Sequence, residues 1–142
     1  MKYLRYINLL KLIAEDVEPV SKARLAAMIL YKGKAVAIGF NQSKSHPFAA
    51  KYSKNPEAIY LHAEVDAINK AKRKLTDTEL KKSTLIVVRV KTDIDDNTTF
   101  GIAKPCSGCA KCISDHNIKT LVYTETTEFG KLKYITEIAD VN

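Results

Sequence analysis

The side chains best suited to chemistry lie in two separated segments: His62-Ala63-Glu64 and, far downstream, Pro105-Cys106-Ser107-Gly108-Cys109. Together they offer one imidazole, two thiols and a carboxylate. An imidazole and two thiolates are three good ligands for Zn2+, one fewer than a closed structural site uses, and the remaining corner takes a water. Zinc lowers the pKa of such a water toward neutrality and makes a hydroxide nucleophile at physiological pH. Glu64 stands two residues from His62, near the metal without having to bind it. A carboxylate placed there can accept the water's proton and pass it on to a leaving group.

A rival arrangement uses Cys106, Cys109, Cys112 and His116 as one closed zinc site. Helical geometry opposes it. Six residues of helix separate Cys106 from Cys112 by ~9 Å of rise, whereas two sulfurs on one tetrahedral zinc lie only ~3.8 Å apart. Cys112 is then a small buried hydrophobe, and His116 a residue favoured by the dipole at a helix C-terminus. In the open arrangement, Cys106 and Cys109 reach one metal from the start of a helix, whose dipole favours thiolate charge, and Pro105 fits its first position.

The elements that must position these groups show in the apolar patterning. Residues 2–15 read as an amphipathic helix, with Leu4, Ile7, Leu10 or Lys11, and Ala14 at helical spacing. Residues 25–31 and 35–40 read as a strand hairpin about Lys32-Gly33-Lys34. Residues 41–60, polar and carrying Pro47 and Pro56, form a long loop of the kind that is often functional. In the following helix Leu61, Val65, Ile68 and Leu75 share a face, and two starts compete. A cap at Asn55-Pro56 puts His62 nearly two turns inside; a break near Tyr60 puts it in the first turn. Residues 84–90 form a buried-type strand, 106–117 a short helix, 118–123 another strand, and 131–139 an alternating final segment after a turn at Glu128-Phe129-Gly130. Interleaved helices and strands with no linker or repeat indicate a single α/β domain over residues 1–142.

Composition adds bounds. A chain of 142 residues, 46% hydrophobic and 27% charged, buries a real core and contains no transmembrane run or signal-peptide pattern. Three cysteines, two of them in metal-type spacing, indicate reduced thiols and a cytoplasmic location. The net charge of +7 raises the expectation of anionic partners, whether nucleotides or nucleic acid, while remaining compatible with a solvated lysine-rich surface.

The order of these elements, together with Gly39-Phe40-Asn41 and the continuation of the Cys helix through Cys112-Ile113 to residues 117–123, resembles the cytidine deaminase-like superfamily. The resemblance covers residues 25–123 and rests most heavily on the H-x-E and P-C-x-x-C motifs. It implies a three-layer α/β fold with a mixed five-stranded sheet flanked by helices, and a homo-oligomer. It also implies zinc held by His62, Cys106 and Cys109, with Glu64 as proton shuttle. Asn41 would bond a sugar hydroxyl and the Ala63 backbone the base. The implied reaction converts cytosine to uracil in a nucleoside or nucleotide, with Lys44, His46 and Lys51 in the long loop able to hold a 5′-phosphate. An alternative is a deaminase of cytosine or adenine in single-stranded DNA or RNA, with Phe48, Tyr52 and Tyr60 as a stacking surface. A third reading is a zinc-stabilised binding module in which Glu64 is incidental. Two departures stand out: residues 93–99 intervene before the Cys motif, and the short tail favours an antiparallel final hairpin over a crossover helix.

Overall fold

Apolar side chains on both sides of the two central strands decide the architecture. In β1 (Arg24–Tyr31), Ala27 and Ile29 point to one face and Ala26, Met28 and Leu30 to the other. In β5 (Thr84–Thr92), Leu85 and Val87 oppose Ile86, Val88 and Val90 in the same way. Strands apolar on both faces must be covered on both faces. The computed structural model, which describes residues 3–17, 24–45, 47, 52, 60–92, 98–126 and 132–138, shows that covering.

Helix α1 (Leu4–Glu15) lays Ile7, Leu10 and Ala14 on one side of the sheet, against Met28, Ile86 and Val88. On the other side pack α2 (Ala63–Ala71) and α4 (Ser107–Asp115), bringing Val65, Ala67, Ile68, Cys109, Cys112 and Ile113 to Ile29, Leu85 and Val87. Helix α3 (Asp77–Lys81) is a single turn fixed by a capping box between Thr76 and Glu79, which leads into β5. The result is a three-layer α/β/α domain, and no described helix is long and apolar enough to cross a membrane.

The main sheet runs β2 (Lys34–Phe40), β1, β5, β7 (Thr120–Thr126), β8 (Leu132–Ile138). All neighbours are antiparallel except β5 and β7, which α4 connects in parallel. The β1–β2 hairpin turns on Lys32 (φ 49°) and Gly33 (φ 75°), the pair of left-handed residues that a tight two-residue hairpin needs. The final segment is antiparallel, in keeping with the short connection between Thr126 and Leu132, though the expected turn at Glu128-Phe129-Gly130 lies outside the described residues.

Three features depart from the sequence expectation. A sixth strand, β6 (Thr98–Gly101), folds back on the second half of β5, so the insertion before the Cys motif makes a hairpin. Thr124 is fully buried where β7 diverges from β5 and β6 takes over: it accepts from Arg89 N–H (3.3 Å) and donates to Gly101 O (2.9 Å). The long loop begins and ends in short strands, β3 (Gln42–Ser45) and β4 (Tyr60–Leu61), which pair antiparallel with Gln42 opposite Leu61. Finally, Pro105 stands two residues ahead of the first residue of α4, because Cys106 takes the extended N-cap position.

Candidate metal centre

Two helices begin at the same place. His62 is the N-cap of α2 (φ −77°, ψ 151°) and Cys106 the N-cap of α4 (φ −70°, ψ 173°), so the break near Tyr60 is the start that the chain adopts. Pairing of Leu61 with Gln42 holds the residue before His62 extended and stops the helix from running further back. Each N-cap projects its side chain beyond its own helix, where the positive ends of the two dipoles favour thiolate charge. Cys109, two residues into α4 after Ser107, turns its sulfur back into the same space.

Close packing fixes this convergence. A Cβ on Gly39 would lie 2.4 Å from Ala67 N and 2.5 Å from Ala63 O, so β2 presses directly on the first turn of α2. A Cβ on Gly108 would lie 1.8 Å from Tyr52 O. Tyr52 is itself buried, and its hydroxyl donates to Asp115 Oδ2 (3.0 Å). The expected stacking role for Tyr52 is therefore corrected: its ring is buried, with its hydroxyl bonded to Asp115 of α4.

The donor atoms of His62, Cys106 and Cys109 all lie within 4.8 Å of one another. His62 Nδ1 is 3.2 Å from Cys109 Sγ and 3.7 Å from Cys106 Sγ. A tetrahedral zinc places a bound nitrogen and sulfur roughly 3.5 Å apart, so the trio fits Zn2+, with Nδ1 as the imidazole face presented to the metal. Cys112 and His116 stand apart from it. Cys112 is fully buried among core residues, and His116, the C-cap of α4, donates from Nδ1 to Cys112 O (2.7 Å). The closed four-residue site is not formed.

Charge in the group is unevenly held. The Cys109 thiol donates to the Cys106 sulfur, and this bond, with His62 beside it, brings Cys106 down to about 3. Cys109 moves in the opposite direction because it is the donor in that bond and is also buried. Glu64, only 4% exposed, lies beside the Cys109 thiol and feels His62 directly. Burial raises its pKa above the ordinary carboxylate value.

The remaining expected site residues fare differently. Asn41 is buried at the end of β2, where its Oδ1 accepts from Leu25 N–H (2.9 Å). Ala63 is fully buried as the first residue of α2. Lys44 lies in β3, with its side chain outside the described residues, as are His46, Phe48 and Lys51 entirely. One residue went unrecognised. Asp66, 4% exposed on α2, accepts from Phe40 N–H (3.2 Å), Gln42 Nε2 (3.3 Å) and Lys70 Nζ (3.0 Å). Its signal in the sequence is an acid between the apolar Val65 and Ala67, four residues ahead of a lysine.

Comparison with known proteins agrees with this geometry. Residues 1–125 match the model of the cytidine and deoxycytidylate deaminase zinc-binding region. The chain belongs to this family, and is accordingly a zinc-dependent hydrolase that deaminates cytosine. Among solved structures, a cytidine deaminase from Burkholderia pseudomallei superposes with a TM-score of 0.60 at 18% identity, over 96% of this chain and 93% of that one. A dCMP deaminase from the cyanophage S-TIM5 in apo form gives 0.54 at 20% identity, over 89% and 82%. The same phage enzyme in complex with dCMP and dUMP gives 0.51 at 21% identity, over 86% and 77%. These likenesses show the shared fold. No curated protein sequence matches the chain.

Proposed function

We propose that this chain removes the 4-amino group from cytosine carried by a nucleoside or nucleotide, in a single domain over residues 1–142. The observation that carries the reading is the buried Glu64 carboxyl, aimed at the His62, Cys106 and Cys109 trio and not at bulk solvent. His62, Cys106 and Cys109 are the zinc ligands in this reading. Zinc bound there supplies a water acidic enough to attack at neutral pH.

The chain's own groups do the rest. Glu64, with its proton affinity raised by burial, takes a proton from the attacking water and delivers it to ring N3 as C4 becomes tetrahedral. A further proton reaches the exocyclic nitrogen through the same carboxyl. The C4–N bond then breaks, so cytosine and water yield uracil and ammonia. Asn41 holds a sugar hydroxyl, the Ala63 backbone contacts the base, and Lys44 and His46 are the candidates to bind a 5′-phosphate. The phage relative's complex with dCMP and dUMP supports a pyrimidine nucleotide as ligand class.

Ammonia release by zinc-loaded protein tests the substrate class. The panel comprises cytidine, deoxycytidine, their 5′-monophosphates, adenosine, single-stranded DNA and single-stranded RNA. Turnover of the free cytosine compounds supports the proposal. Turnover of polymers only, falling steeply with salt, contradicts it.

A further inference from the structure

Asp66 joins two parts of the site that the chain supplies separately. Its Oδ2 accepts from Phe40 N–H (3.2 Å) and from the Gln42 carboxamide (3.3 Å), the residues on either side of Asn41. It also accepts from Lys70 Nζ (3.0 Å), whose second bond is to Ile38 O (3.1 Å). Asp66 and Lys70 belong to α2, the helix that His62 caps and that carries Glu64 in its first turn. The backbone on either side of Asn41 is therefore tied to α2 by one buried oxygen and one lysine. Gln42 pairs with Leu61, the residue before His62, so the tie adjoins the start of α2.

Such a tie has a function beyond packing. Gly39 already brings β2 against Ala63 and Ala67, which fixes the approach of strand to helix. Asn41 is held to β1 by Leu25, to whose carbonyl its N–H donates (3.3 Å) and from whose N–H its Oδ1 accepts (2.9 Å), and Asp66 fixes the residues on either side: it is the acceptor for the Phe40 amide and for the first side chain beyond Asn41. We propose that Asp66 is a positioning residue that sets where Asn41 meets the substrate's sugar, and so governs KM while leaving the chemical step at Glu64 untouched. The proposal rests on the reading of Asn41 given above.

The test combines steady-state kinetics on cytidine and dCMP with zinc analysis and amide exchange, for Asp66→Ala, Asp66→Asn, Asn41→Ala and the Asp66→Ala/Asn41→Ala pair. Loss of one positioning contact raises KM about tenfold in Asp66→Ala, with kcat within about twofold and zinc content unchanged. Asp66→Asn, which keeps a neutral acceptor, shows a smaller rise. Residues acting through one contact are non-additive, so the pair is no worse than Asn41→Ala. Loss of kcat and zinc with KM unchanged, or additive losses in the pair, overturns the proposal. Exchange at the Phe40 amide needs no substrate and separates two further failures. Faster exchange in Asp66→Ala with no KM change in Asn41→Ala refutes the substrate contact on which the proposal stands. Unchanged exchange refutes the tie itself.

Discussion

At the scale of residues, Glu64 and Cys109 compete for the same proton environment. Glu64 is buried beside a thiol and an imidazole, and its pKa is raised above the 4.5 of a free glutamate. In metal-free protein the folded state then keeps its proton to higher pH than the unfolded state does. Stability is therefore lost as pH rises from the unfolded value through the raised one, and then levels off. Thermal unfolding of chelator-treated Glu64→Gln against wild type should show a shallower decline over that range, because the neutral amide has no proton to release. Equal slopes would mean that Glu64 is not desolvated. Cys112 gives a second residue-scale prediction. It is fully buried and stands outside the trio, so Cys112→Ala should keep the wild-type zinc content while losing about 1 kcal/mol from the core. Loss of the metal would restore the closed-site reading. The grouping of His62, Cys106 and Cys109 was legible in the sequence, because the H-x-E and P-C-x-x-C segments together offer three zinc ligands. Asp66 was not legible, because an acid in a helix discloses neither its burial nor that its partners are Phe40 and Gln42.

At the scale of elements, the site depends on where α2 and α4 begin. Gly39 is the point at which β2 sets the position of α2, with no space for a side chain between strand and helix. Gly39→Ala should push α2 outward, cost about 1–3 kcal/mol as overpacking, and weaken zinc binding together with activity. Urea unfolding and zinc titration measure both effects; a variant of unchanged stability would show that the strand–helix contact is slack. Strands with period-two or continuous apolar patterns, β1, β2, β5 and β7, were readable from sequence for the same reason that they are buried. Strands β3, β4 and β6 are only four, two and four residues long, too short for a period, and exist because a distant partner pairs with them. The start of α2 was ambiguous for that reason: pairing of Leu61 with Gln42 settles it, and no local cap signal records that pairing.

At the scale of the molecule, the metal trio joins N-termini of two helices that lie on the same face of one sheet, so zinc and fold should be thermodynamically linked. A ligand that binds only the folded state stabilises it by ~4 kcal/mol at a thousand times its dissociation constant. Removing zinc with a chelator should lower Tm by several degrees and adding it back should restore the loss, as differential scanning calorimetry would record. A Tm indifferent to zinc would show that the trio does not hold the metal. The account as a whole is tested most directly by ammonia release from cytidine and dCMP, comparing wild type with Glu64→Gln at equal measured zinc content. Loss of a general acid–base group predicts a fall in kcat of about 10²–10⁴-fold with the metal retained. Wild-type turnover by Glu64→Gln at full zinc occupancy would contradict the proton role assigned to Glu64, and with it the mechanism.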